Sequence, residues 1–277
     1  MDDARGPIIE PQLQVVAEHP PRKVLSVVIP VFNERNTIAF VLPRVVDALP
    51  SVQKEIIIVD DGSTDGTREW LARNLTDEAL YHAIAVDEDG DLVLSKAGGV
   101  SRFSFKVFFH ERNKGKGGAL QTGLRVATGD VVVIQDGDLE YDPEDWVVMY
   151  NLIVERRVAD VVYGTRFSAK PHRALYYHHL IANKLISFLF NIIYNQALSD
   201  IEVCYKMISR DVLRTLALTC NDFGVEIQLS AQIARKRTWR IYEMGISYYG
   251  RTYREGKKIN WKDGLKALWY LVKFRVV

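Results

Sequence analysis

Five short, almost wholly apolar runs punctuate the first part of the chain: residues 25–30, 55–59, 105–109, 131–134 and 161–163. Such runs predict strands buried on both faces. Amphipathic stretches lie between them. A helix is expected over 37–49, capped by Asn36 or Thr37, with Pro43 predicting a kink or split. Further helices are expected over 66–75 after the capping Asp65, over 118–127, and over 143–155 with Pro143 in the first turn. Residues 76–104 are less regular, with turns at 87–91 and at Gly98-Gly99 between short strands. Alternating strands and helices of this kind predict an α/β fold with a mainly parallel, Rossmann-like sheet, whose ligands bind beyond the carboxyl ends of the strands.

The rest of the chain has a different pattern. Residues 175–198 are strongly apolar, but Asn183, Ser187, Asn191 and Asn195 fall four apart and form one narrow polar stripe on a helix. Over 254–277, Arg254, Lys257, Lys258, Lys262, Lys266, Lys273 and Arg275 outnumber Glu255 and Asp263. Trp261, Leu265, Leu268, Trp269 and Val272 share one face there, so a basic amphipathic helix is expected. Residues 1–22, polar and with four prolines, read as a loose tail.

Composition narrows the function. The 277 residues are 48% hydrophobic and 26% charged, which is globular, and 36 basic against 35 acidic residues leave a net charge of +1. That balance gives no reason to expect a nucleic-acid partner. Cys204 and Cys220 are too few for a disulfide framework or a four-cysteine zinc site. No signal peptide and no run of roughly 18 apolar residues is evident, so a cytoplasmic protein is expected. A homo-oligomer stays open on the sequence.

Candidate chemistry gathers at strand ends. Asp136, Asp138 and Glu140 follow the run 131–134, and strand alternation places the two aspartates on one side. Hard oxygen donors of this kind suit Mg²⁺ or Mn²⁺ bridging to a diphosphate, although alone they also make an acidic turn that caps a helix. Asp60-Asp61-Gly62-Ser63 and Val31-Phe32-Asn33-Glu34 end two other strands. Lys114-Gly115-Lys116-Gly117-Gly118 precedes a helix N-terminus, where phosphate oxygens are well received. It is not a Walker A loop, and no Gly-x-Gly-x-x-Gly follows the first strand.

Val28-Ile29-Pro30-Val31-Phe32-Asn33-Glu34, Val59-Asp60-Asp61-Gly62-Ser63-Thr64-Asp65, Asn113-Lys114-Gly115-Lys116-Gly117 and Asp136-Gly137-Asp138, in this order, resemble the inverting family 2 glycosyltransferases typified by dolichol-phosphate mannosyltransferase. The resemblance spans roughly 24–260. It implies a GT-A catalytic domain over 23–253, its donor half ending near 168, a GDP- or UDP-linked sugar donor, and Mg²⁺ or Mn²⁺. By position, Pro30, Phe32 and Glu34 flank the nucleotide, Asp60 or Asp61 recognises the base, and Lys114 and Lys116 lie near the base or diphosphate. Asp136 and Asp138 hold the metal-diphosphate, with Glu140 a further ligand. Arg166 in Gly164-Thr165-Arg166, and Arg173, face an acceptor phosphate, while Arg251, Arg254, Lys257 and Lys258 close over the donor.

The expected reaction is therefore sugar transfer to a polyprenyl phosphate, dolichyl or undecaprenyl, by an enzyme resting on the inner membrane face through 175–198 and 254–277. A phosphate acceptor is already anionic and needs no general base. Transfer to a sugar hydroxyl, the alternative, needs one, and Glu226 or Asp222 is the candidate; Asp200 and Glu202 are further contacts for donor or acceptor. His178 and His179 stand where the family usually has a serine. A non-catalytic nucleotide-sugar-binding subunit is the third reading.

Overall fold

The computed structural model describes residues 23–75, 79–167, 170–174, 176–255 and 261–276. The expected tail over 1–22, and Lys257 and Lys258, lie outside them. Strands β1 (Val24–Val31), β2 (Gln53–Asp60), β5 (Arg102–Phe109) and β6 (Val131–Ile134) occupy the runs read as strands, with helices α1 (Ile38–Asp47), α2 (Thr67–Asn74) and α3 (Lys116–Val126) alternating with them. The stretch read as less regular forms the hairpin β3 (Ala83–Val86) and β4 (Leu92–Ser95), turned at 87–91 by Asp87 Oδ1 accepting from the Asp89 and Asp91 amides.

Pro43 does not split α1, which runs continuously through it. A buried ammonium stands at its end: Lys54 Nζ donates to Val46 O in the last turn at 2.9 Å and to Leu49 O, two residues beyond the helix, at 3.0 Å. Burial pushes that lysine down to about 8. The segment read as one helix over 143–155 changes winding twice. Asp142 caps a 3₁₀ turn Pro143–Asp145, α4 (Trp146–Tyr150) follows, and a wide π turn Asn151–Glu155 ends it.

The remaining elements are β7 (Val161–Thr165), α5 (Tyr177–Tyr194), β8 (Lys206–Ser209), α6 (Arg210–Leu213), α7 (Val225–Arg235), β9 (Ile241–Gly245) and α8 (Trp261–Val276). The sheet order is β5-β2-β1-β6-β8-β7-β9, parallel except for β8, which runs antiparallel between β6 and β7. The register pairs Val31 with Asp60 and Asp60 with Phe109. The carboxyl ends of β1, β2 and β5 therefore finish level, and all that follows them faces one edge.

On α5 Ser187 and Asn191 of the polar stripe turn inward, while Asn195, just past the helix, stays exposed. Ser187 Oγ accepts from the Ile201 amide, and Asn191 bonds both the carbonyl and the amide of Leu198. The apolar stripe of Tyr177, Ile181, Leu185, Phe188 and Ile192 is left exposed, Phe188 by 60%. Helix α8 packs on α5 and α7 through Ala267, Leu271 and Phe274, and likewise exposes Leu265, Trp269 and Val272.

Candidate active site

A cavity of about 990 Å³ opens at the level edge of the sheet and extends between α5 and α8. Of the residues that the sequence singled out, Pro30, Phe32, Glu34, Asp61, Lys116, Asp136, Asp138, Glu140, Arg166, Glu226 and Arg251 line it. His178, His179, Asp222 and Glu202 line it too.

Other expectations are corrected. Asp60 is fully buried in its own turn, where the Ser63 amide and Arg68 reach it, and it does not line the cavity. Asp61 does line the cavity, but its carboxylate is already used. It accepts from the Lys114 and Gly115 amides at 2.9 and 2.7 Å and meets His110 Nδ1 at 2.7 Å, so it shapes the loop. Lys114 points outward, exposed and away from the cavity. Arg173 also lies off the cavity: its Nη1 donates to Glu255 Oε2 at 2.7 Å and to Gly250 O at 3.2 Å. The glycines of the 115–118 loop serve packing as well as phosphate access. A Cβ on Gly117 would stand 2.1 Å from Cys220 O, and Gly115 has φ +89° with its Cβ position 2.4 Å from Asn221 O.

The acidic corner is held by cations of the chain itself. Arg251 Nη2 donates to Asp138 Oδ2 at 2.5 Å, and its guanidinium lies 3.2 Å from Glu34 and 3.5 Å from Glu140. Glu140 accepts from the Arg251 amide at 2.6 Å and from Tyr248 Oη at 3.1 Å. Lys116 Nζ lies 2.9 Å from Asp136 Oδ1, which also accepts from Cys204 Sγ at 3.0 Å. On the far wall, Arg166 donates through Nε and Nη2 to the fully buried Asp200, at 2.7 and 2.8 Å.

These contacts decide the charge states. Lys116 keeps Asp136 below the ordinary carboxylate range although burial opposes it. Burial pushes Asp138 up to about 7, helped by the neighbouring charges of Asp136 and Glu140, and Arg251 does not offset them. A buried carboxylate whose charge is left uncompensated, as at Asp138, suits a divalent cation, and the hard oxygens of Asp136 and Asp138 suit Mg²⁺ or Mn²⁺. Among the described residues no three His, Cys, Asp or Glu side chains converge tightly enough to hold a metal by themselves. Glu140 is not gathered with the two aspartates as a third ligand, because Arg251 and Tyr248 take its oxygens.

A pH dependence follows. The fold favours protonated Asp138, so stability present below about pH 4 is lost as pH rises through about 7. Glu202, which burial pushes up to about 7, acts with the same sign. In EDTA the thermal midpoint should fall between pH 5.5 and 8, and Asp138→Asn should reduce that fall by roughly half; an equal fall in the variant contradicts the assignment.

Cys204 and Tyr248, which line the cavity, and Lys206, buried behind it, are not singled out by the sequence. Lys206 Nζ donates to Glu226 Oε2 at 2.5 Å, and Glu226 Oε1 lies 3.2 Å from Lys116 Nζ. A lysine opening an apolar strand twenty positions before its partner leaves no local signal.

Comparison with known proteins bears on the fold and the family. Undecaprenyl-phosphate 4-deoxy-4-formamido-L-arabinose transferases from Salmonella choleraesuis (strain SC-B67) and Salmonella paratyphi B are each 26% identical over 223 residues, covering 80% of this chain. The chain spans 59% of the length of these curated relatives. Among solved structures, glucosyl-3-phosphoglycerate synthase from Mycobacterium tuberculosis with Mn²⁺, UDP and glucosyl-3-phosphoglycerate has a TM-score of 0.61 at 20% identity, over 92% of this chain and 81% of that one. The same enzyme with Mg²⁺ and UDP gives 0.61 at 21%, over 92% and 80%. The fold is thus GT-A. Residues 26–217 match the model of glycosyl transferase family 2, and the chain belongs to that family.

Proposed function

We propose that the protein transfers a sugar, with inversion, from a nucleoside-diphosphate sugar to a polyprenyl phosphate. An acceptor phosphate oxygen attacks the anomeric carbon as its bond to the diphosphate breaks, and the nucleoside diphosphate leaves. One observation carries the choice of acceptor. Glu226, the carboxylate placed to serve as a base, is clamped between Lys206 and Lys116 as a counter-ion. Asp222 is tied to the Gly224 amide and Tyr270 Oη. A phosphate acceptor needs neither. Arg166, oriented by Asp200, faces it together with His178 and His179.

Lys116 binds the donor diphosphate, and Arg251 exchanges its carboxylates for it. Asp136 and Asp138 would hold Mg²⁺ or Mn²⁺, which would supply Lewis-acid stabilisation of the departing diphosphate. The relatives' name supports a lipid-borne acceptor. So does the outer surface of α5 and α8, where Phe188 and Trp269 are both more than half exposed, Lys273 lies over the Trp269 ring and the exposed Lys266 lines the cavity. No helix among the described residues is long and apolar enough to cross a membrane, so this face would rest on the surface of one.

A second reading, transfer to a sugar hydroxyl, is favoured by one feature. Glu202 lines the cavity at about 7, where a general base works well. Variants separate the two. On the phosphate reading Glu226→Gln and Glu202→Gln keep transfer to polyprenyl phosphate within about tenfold of wild type; on the hydroxyl reading one of them loses about 10²-fold or more of transfer to a glycan. A loss of that size toward the phosphate acceptor would contradict the proposal.

A further inference from the structure

Four charged side chains of alternating sign run from the donor edge into the interior, each from a different element. Asp136 follows β6, Lys116 opens α3, Glu226 stands in the first turn of α7, and Lys206 opens β8. The first three line the cavity and Lys206 does not. Lys206 is 0% exposed and Glu226 4%. The Lys206 ammonium also donates to Val203 O and lies 5.4 Å from the centre of the Tyr163 ring.

Stability alone does not account for such a pair, since apolar residues of similar volume usually serve a fold as well or better. The position of Lys116 offers a reason. Its ammonium stands between two carboxylates, 2.9 Å from Asp136 and 3.2 Å from Glu226. Both contacts are ion pairs, but the one to Asp136 is the shorter, and Glu226 Oε1 is buried without a hydrogen bond, so Lys116 sides with Asp136. Glu226 can lose it only because its other oxygen is satisfied by Lys206.

We infer that Lys206 is a positioning residue for donor binding: by neutralising Glu226 from behind, it keeps the Lys116 ammonium on Asp136, where the donor diphosphate binds. This rests on the nucleotide-sugar reading above. Without the Lys206 charge, Glu226 is left buried with Lys116 as its nearest cation and draws it off Asp136. Removing the Glu226 charge as well abolishes that pull. The signature is therefore a repair: a second substitution restores what the first removes.

The test is calorimetric binding of UDP and of GDP, each with Mn²⁺, to the full chain, alongside the thermal midpoint. For whichever nucleotide the wild type binds, Lys206→Met should weaken affinity about tenfold. Lys206→Met with Glu226→Gln should return it to within about threefold of wild type, and Lys206→Arg should stay within about threefold. In a Lys116→Met background, Lys206→Met should add nothing. Should Lys206→Met not fold, Lys206→Gln takes its place. A purely structural lysine lowers the midpoint and leaves nucleotide affinity unchanged, and that result, or a double variant as weak as the single one, overturns the inference. A wild type that binds neither nucleotide overturns the functional reading, and this inference with it.

Discussion

Asp138→Asn should lower turnover of the nucleotide sugar by about 10³-fold while leaving the protein folded. The substitution keeps the side-chain volume and removes one charge from a buried position that the charges of Asp136 and Glu140 already disfavour. Stability should not suffer: at pH 8 the metal-free variant should melt a few degrees above wild type, because an ionised, buried Asp138 is unfavourable there. Mn²⁺ affinity, measured without donor, should fall in parallel with turnover. This combination, a more stable protein that has lost metal and activity together, distinguishes a ligand from a structural carboxylate. Turnover within tenfold of wild type at saturating Mn²⁺ would contradict the role given to Asp138.

The second large effect belongs to Arg166. Its guanidinium gives two parallel hydrogen bonds to Asp200 and, with that carboxylate holding it, has one geometry in which to meet a phosphate. Lysine keeps the charge and loses the fork. Arg166→Lys should lower kcat/KM for polyprenyl phosphate about 10²-fold, and the affinity for UDP or GDP should be unchanged. Arg166→Ala is the poorer variant, because it strands a fully buried Asp200 at a cost of roughly 3–5 kcal/mol. Equal losses toward donor and acceptor in Arg166→Lys would place this arginine in the donor site instead.

Much of the cavity's edge along the sheet was legible because it depends on local pattern. Apolar, β-branched runs that must be buried on both faces gave β1, β2, β5 and β6, and a parallel sheet brings the residues after such strands to one edge. Asp136, Asp138, Glu34 and Lys116 meet for that reason. What escaped depends on contacts across distant elements. Neither β8 nor β9 exceeds five residues, and β8 opens on a lysine that the core tolerates only beside Glu226. Asp60 and Asp61 are adjacent, and which one turns into the cavity is decided by loops at 63–68 and 110–115. Arg173 follows the backbone of the 248–255 segment, whose course the sequence does not reveal. Periodicity also identified the two faces of α5 but not which faces inward. Ser187 and Asn191 settle that by satisfying the backbone at 198 and 201, which leaves the apolar stripe outside.

The identity of the acceptor decides the whole account. The direct measurement is to incubate the protein with Mn²⁺, a panel of labelled UDP- and GDP-sugars, and undecaprenyl or dolichyl phosphate beside soluble glycans. The label from one donor should move into the chloroform phase when polyprenyl phosphate is present and remain in water when only glycans are supplied. Label found on a soluble glycan hydroxyl, with none in chloroform, would contradict it.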